Sequence, residues 1–120
     1  MKDKKRSIGF SFAWNGLIEA AKSERNFQIH VVITFIVIVF GIFFQISRLE
    51  WGIIILVIGL VLVSEMINST VEKLIDYLKP DIHPTAKIIK DIAAGSVLIA
   101  AIIAVIIGLI VFIPKINAFL

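Results

Sequence analysis

Three long apolar runs decide what this chain can become: Phe27 to Phe44, Trp51 to about Asn68, and Ile92 to Ile113. Each supplies about the 20 residues that a roughly 30 Å hydrocarbon core requires. The chain is 120 residues long, 59% hydrophobic, with a mean hydropathy of +1.02. A soluble globule of that size has too little interior to hide so much apolar surface, so lipid is its natural solvent. The first run starts late, is long, and ends in Gln45-Ile46-Ser47-Arg48 rather than at a small-residue cleavage site. It therefore reads as a span and not as a signal peptide. With no cysteine there is neither a disulfide framework nor a thiolate metal site.

The expected fold is an all-α integral membrane protein forming one domain over residues 1–120. An N-terminal amphipathic surface helix covers 7–24, and the spans cover 27–46, 50–78 with a polar continuation, and 87–113. In the first of these, Phe10, Ala13, Trp14, Leu17 and Ala21 recur at helical spacing, while Asn15, Glu19, Lys22 and Ser23 face elsewhere. Ser23-Glu24-Arg25-Asn26 breaks the apolar pattern before the chain enters the bilayer. Pro80 and Pro84 stop the second span and space the third, Thr85 is placed to cap the third, and Pro114 is expected to end it. Ser96, Ala100, Ala104 and Gly108 form a ladder of small residues that lets another helix approach closely.

The net charge of +3 is modest, no nucleic-acid partner is expected, and the placement of the basic residues says more than their sum. Lys2, Lys4, Lys5, Arg6, Lys22 and Arg25 precede the first span, and Lys73, Lys79, Lys87 and Lys90 lie between the second and third. Only Arg48 and Lys115 fall on the other side. The bias puts the N-terminus and the second loop in the cytoplasm.

The chemistry concentrates in EMINSTVEKLID, residues 65–76. Glu65, Asn68, Glu72 and Asp76 follow at steps of three, four and four, which places all four on one stripe of one helix. A carboxylate in mid-membrane costs about 2.5–3.5 kcal/mol on insertion scales, and less towards the interface. Such a stripe suggests a polar site that holds a cation at the cytoplasmic end of the second span. Glu65 and Glu72 are separated by about 10.5 Å of helix rise, too far to share one ion unaided. The separation suits a division of labour, with the deeper Glu65 meeting a lipid headgroup and Glu72 a hydrated cation. Magnesium takes one or two carboxylates and completes its octahedron with water and phosphate oxygens, and Glu24 is a plausible second ligand. Lys90 is placed to neutralise a transferring phosphate.

Plainer roles compete at several positions. Asp76, Lys73 and Lys79 read first as snorkelling charges at a helix end. His30 and Thr34 read as packing or helix–helix hydrogen bonding, and His83 as either a solvated loop residue or a functional one. The chain has no GxxxxGK[ST] loop, GxGxxG turn, HExxH motif or serine elbow. Residue pattern alone leads to a three-span membrane protein with a cytoplasmic-face cation or phosphate site.

EMINSTVEKLID, PDIHPTAK at 80–87 and KDIAAGSVLI at 90–99, with AWNGLIEAAKSERNF at 13–27, closely resemble the prokaryotic diacylglycerol kinase family, which includes the undecaprenol kinases of Gram-positive bacteria. The resemblance covers nearly the whole chain. It implies a homotrimer of three-span subunits in the bacterial cytoplasmic (inner) membrane, with active sites shared between neighbours. It further implies magnesium-dependent transfer of the ATP γ-phosphate to the hydroxyl of a membrane lipid. By this resemblance Glu65 is the catalytic base and Asn68 its polar neighbour. Glu72 and Glu24 hold magnesium with the nucleotide, Lys90 and Asp91 contact phosphate and nucleotide, and His83 lies beside the nucleotide. Phe12 stands where relatives often have Tyr, His30 where some are acidic, and Ala94 where others have Ser. The short N-terminus and the HPTAK loop look more like the undecaprenol kinases, so undecaprenol is expected ahead of diacylglycerol. Two rivals from other classes are a small transport or channel subunit with the carboxylate stripe along an ion path, and a non-catalytic assembly protein built on the helix-three ladder.

Overall fold

The computed structural model describes residues 5–120, with side chains from Gly9 onward. Lys2 and Lys4 of the charge count lie outside the described residues. The chain folds as four helices: α1 (Lys5–Ser23), α2 (Arg25–Phe43), α3 (Arg48–Leu78) and α4 (Pro84–Phe119). The last three are each long and apolar enough to cross a membrane. Three spans and an N-terminal helix are thus the observed architecture.

Glu24 is the joint between α1 and α2. Its backbone is extended, with φ −101° and ψ 106°, and its side chain does not cap α2. The corner is fixed instead by Gln28, whose amide donates to the carbonyls of Ala21 and Lys22 at 2.9 and 3.1 Å. Those are last-turn carbonyls of α1 that would otherwise lack a partner. The Glu24 carboxylate, not used as a cap, is turned to Lys73 of α3.

The α2–α3 turn closes with Ile46 N–H donating to the Gly41 carbonyl at 3.2 Å, and with Gln45 at φ 52°. This is the six-to-one closure with a left-handed residue after the helix, here adopted without glycine. Helix α3 then opens on a capping box: Ser47 Oγ accepts from Glu50 N–H while the Glu50 carboxylate accepts from Ser47 N–H.

Two expectations about α4 are corrected. Its cap is His83, whose Nδ1 accepts from Thr85 N–H at 3.2 Å, and not Thr85. Pro84 then occupies the first helical position, where its missing N–H is not needed. The helix also runs through Pro114 to Phe119 instead of ending there. A proline this close to the terminus forfeits one hydrogen bond but leaves a packed helix in place. Phe112 and Phe119, before and after it, both stack edge-to-face on Phe44.

The densest packing is between α3 and α4. Antiparallel register is pinned at both ends, by Lys90–Asp76 at 2.8 Å and Lys115–Glu50 at 3.3 Å. The small-residue ladder serves this contact: Ala100 is buried, while Ala104 and Gly108 line a groove between the helices. On α2–α3 the register is marked by Glu24 against Lys73, His30 against Glu65, and Gly41 under the Trp51 ring. Ile46, Ile54 and Val111 form the small buried core at the Trp51 end. Most outward apolar side chains, such as Phe35, Leu56 and Ile110, are exposed, as lipid-facing residues of a span are.

Candidate active site

Helix α3 buries one stripe, Ile54, Val61, Glu65, Asn68 and Ser69. Glu65 and Asn68 therefore share the interior face with the core aliphatics rather than pointing to lipid. Glu65 is only 2% exposed and Asn68 4%. The Asn68 Oδ1 is buried with no hydrogen-bond partner among the described residues. Buried polar atoms are almost always satisfied, so an orphan acceptor beside a buried carboxylate marks a place prepared for a donor from elsewhere.

The nearest basic group to Glu65 comes from α2. His30 Nε2 lies 3.7 Å from Glu65 Oε2. The Thr34 hydroxyl donates to the His30 carbonyl at 2.8 Å, a contact within its own helix that leaves the imidazole free. His30 also lines the polar end of an apolar groove of about 210 Å³, which runs past Thr34, Val61, Ala104 and Gly108 to Phe112. A Cβ at Gly108 would meet nothing within 4 Å, so glycine there keeps the groove open.

One turn and more towards the end of α3, Glu24 sits half-buried in a cleft of about 220 Å³ that also exposes Glu19, Ser69, Thr70 and Lys73. Lys73 Nζ is 2.9 Å from Glu24 Oε2. That ammonium, and the Ser69 hydroxyl after it, hold the Glu24 carboxyl below its ordinary value of 4.5. Glu24 is thereby kept ionised, as a metal ligand must be.

Lys90 and Asp91 lie on the first turns of α4 and are engaged separately, Lys90 with Asp76 at 2.8 Å and Asp91 with Lys87 at 2.6 Å. The half-buried Glu72 adds its field at Lys90 and Lys73. Asp76, Lys79, His83, Lys87 and Lys90 line a third cleft of about 250 Å³ under the α3–α4 loop. Three lysines there face the same space.

The structure thus groups the sequence-predicted residues in three neighbouring places: Glu65 with Asn68 inside, Glu24 at the α1–α2 corner, and Lys90 with His83 at the loop. It pairs Glu24 with Lys73 rather than with Glu72. Among the described residues no three His, Asp or Glu side chains converge as a ready-made metal cage. Carboxylate and hydroxyl oxygens nevertheless fit magnesium, which keeps waters and takes few protein ligands. Sequence reasoning missed His30, Ser69 and Glu19 as neighbours of the site, and read Lys73 only as a helix-end charge. Ser69 lies inside the EMINSTVEKLID string, four residues from Lys73, and that spacing was the available signal.

Known proteins match this arrangement along nearly its full length. Residues 11–112 fit the sequence model described as prokaryotic diacylglycerol kinase. An undecaprenol kinase of Bacillus subtilis is 42% identical over 106 residues, covering 88% of this chain and 86% of that protein. A diacylglycerol kinase of Synechocystis is 36% identical over 84% of this chain and 58% of its own length. One of Helicobacter pylori is 36% identical over 76% of this chain and 71% of its own. Buried carboxylate, lysine-lined cleft and three membrane-length helices accordingly belong to a lipid kinase, and the chain is a member of the prokaryotic diacylglycerol kinase family.

Proposed function

We propose that this protein transfers the γ-phosphate of ATP directly to the hydroxyl of a membrane lipid alcohol, with undecaprenol preferred over diacylglycerol. The observation that carries the reading is the pair Glu65 and Asn68, buried on the interior stripe of α3, with Glu65 3.7 Å from the His30 ring that lines the polar end of an apolar groove. A lipid alcohol has that same division, a hydrocarbon chain with a polar end.

Glu65 accepts the proton of the lipid hydroxyl as its oxygen attacks the γ-phosphorus in line with the departing ADP. Asn68 Oδ1 accepts a hydrogen bond at the headgroup and orients it. Lys90 leaves Asp76 for the phosphate and offsets the charge that spreads over the transferring oxygens. His83 and Asp91 flank the nucleotide from the start of α4. Glu24 and Glu72 would hold magnesium, which supplies neutralisation of the phosphate charge when bound. No covalent phospho-enzyme is required, because no second nucleophile is needed between ATP and the alcohol.

The chain works as a homotrimer in the bacterial cytoplasmic membrane, with its N-terminus and the α3–α4 loop on the cytoplasmic side. The basic residues around both segments support that orientation. A neighbouring subunit would supply the second carboxylate that a single chain leaves apart from Glu24. The 42% identity to a protein named undecaprenol kinase supports the lipid preference.

The test is transfer from labelled ATP in mixed micelles, with undecaprenol and diacylglycerol offered side by side. Faster transfer to undecaprenol is expected. Faster transfer to diacylglycerol overturns the preference and leaves the kinase; no transfer to either, with ion flux in vesicles, replaces the kinase by the transport reading.

A further inference from the structure

Every turnover of such a kinase liberates a proton. The bond from the lipid oxygen to the γ-phosphorus forms, the bond from that phosphorus to the β,γ-bridging oxygen breaks, and ADP leaves. The hydroxyl proton ends on the base and has to be passed on before the next cycle. Glu65 is poorly placed to do this alone, since its side chain is only 3% exposed.

We propose that His30 is a positioning residue for Glu65: its imidazole orients the carboxylate towards the lipid hydroxyl and relays the captured proton to water. The inference rests on the reading of Glu65 as the base. Its support is geometric. His30 Nε2 is 3.7 Å from Glu65 Oε2 across the α2–α3 contact, a distance that a small ring rotation turns into a hydrogen bond. His30 is 21% exposed against 3% for Glu65, so its ring is the more accessible of the two side chains. No other basic side chain lies within 4 Å of Glu65 among the described residues.

The surroundings leave His30 this one partner. Helix α3 presents Glu65 to it, and the groove's residues from α3, Ile54, Val57, Ile58 and Val61, are all aliphatic. Helix α4 presents Ala101, Ala104 and Val105 to the same groove, with no titratable group. On α2 itself the groove holds only Thr34 as a further polar side chain, and its hydroxyl is committed to the His30 carbonyl. Imidazole is the side chain whose ordinary titration spans neutral pH, which suits it to accept a proton from a carboxylic acid and release it. For the relay Nε2 must be the acceptor, so the neutral ring carries its hydrogen on Nδ1. Glu65 gives its proton to Nε2, the imidazolium ring turns and releases that same proton from Nε2 to water, and the Glu65 carboxylate and the Nδ1–H ring are restored.

A purely structural histidine makes different predictions. The experiment compares His30→Gln, His30→Ala and Glu65→Gln with the parent, measuring kcat, the KM for magnesium-ATP and for lipid, and rescue of the rate by added imidazole. Thermal unfolding of each variant is recorded in the same micelles. His30→Gln is expected to lower kcat by about 10–100-fold, with both KM values unchanged. Added imidazole should restore part of the rate of His30→Ala. A His30→Gln enzyme with parental kcat and no imidazole rescue of His30→Ala, beside an inactive Glu65→Gln, overturns the role of His30 and spares the base assignment. An active Glu65→Gln overturns the base assignment, and the relay falls with it. If His30→Ala does not fold, His30→Asn takes its place in the imidazole experiment.

Discussion

The two ends of the helix bundle are built on opposite principles. The turn between α2 and α3 is closely packed. Trp51 lies on Gly41, Ile46, Ile54 and Val111 close a small core, and Phe40, Phe43, Phe44, Phe112 and Phe119 meet edge to face. The polar groups there are paired too, Glu50 with both Ser47 and Lys115. At the other end polar groups are incompletely satisfied: buried Glu65 beside a histidine at 3.7 Å, buried Asn68 Oδ1 with no partner among the described residues, and half-buried Glu24 ion-paired only with an exposed lysine. One end holds the helices together, and the other leaves hydrogen-bonding capacity unused. Segregation of this kind lets a small chain keep an incompletely satisfied polar site without losing its fold.

The comparison breaks most visibly if the packed end can be disturbed without cost. A Cβ on Gly41 would stand 2.6 Å from Trp51 Cη2 and 2.9 Å from Cζ2. Gly41→Val should therefore lose about 1–3 kcal/mol through overpacking, read as a lower Tm in micelles, with the KM for magnesium-ATP unchanged. A variant with normal Tm and weakened nucleotide binding would show the two ends to be coupled.

At the polar end Lys73 does for Glu24 what a metal ion would do. Removing it as Lys73→Met should lower the magnesium concentration for half-maximal activity by roughly 2–5-fold, in scale with an exposed ion pair, and leave Tm nearly untouched. An unchanged magnesium requirement would mean that Glu24 does not meet the metal. The effect of pH on stability is smaller still. Lys73 lowers the Glu24 value, so the pair's stabilisation is complete above its ordinary 4.5 and disappears as pH falls through the lower folded value. Between about pH 6 and about pH 3.5 the parent should lose slightly more Tm than Glu24→Gln. Equal losses would show the pair to be without weight, as many exposed pairs are.

Much of this architecture was legible because lipid imposes hard requirements. Length and hydropathy alone locate α2, α3 and α4, since a span has one acceptable length and one acceptable composition. The three- and four-residue steps from Glu65 to Glu72 put Glu65 and Asn68 on one stripe, and the structure finds both buried. The α4 boundaries were less accessible. Capping by a His83 ring nitrogen depends on a rotamer, and the passage through Pro114 depends on Phe112 and Phe119 packing against another helix. The pairings His30–Glu65 and Glu24–Lys73 depend on the register between α2 and α3. That register is set by the Gln45 turn and by Trp51 over Gly41, contacts that single-helix periodicity does not encode.

The measurement that tests the account most directly is Glu65→Gln, followed for phosphate transfer and for magnesium-ATP binding in one preparation. The account predicts that transfer falls by at least about 10²-fold, the scale of a lost general base, while nucleotide affinity and Tm stay at the parental values. Turnover at the parental rate would contradict it, and the buried carboxylate of α3 would then be a structural group and not the site of the chemistry.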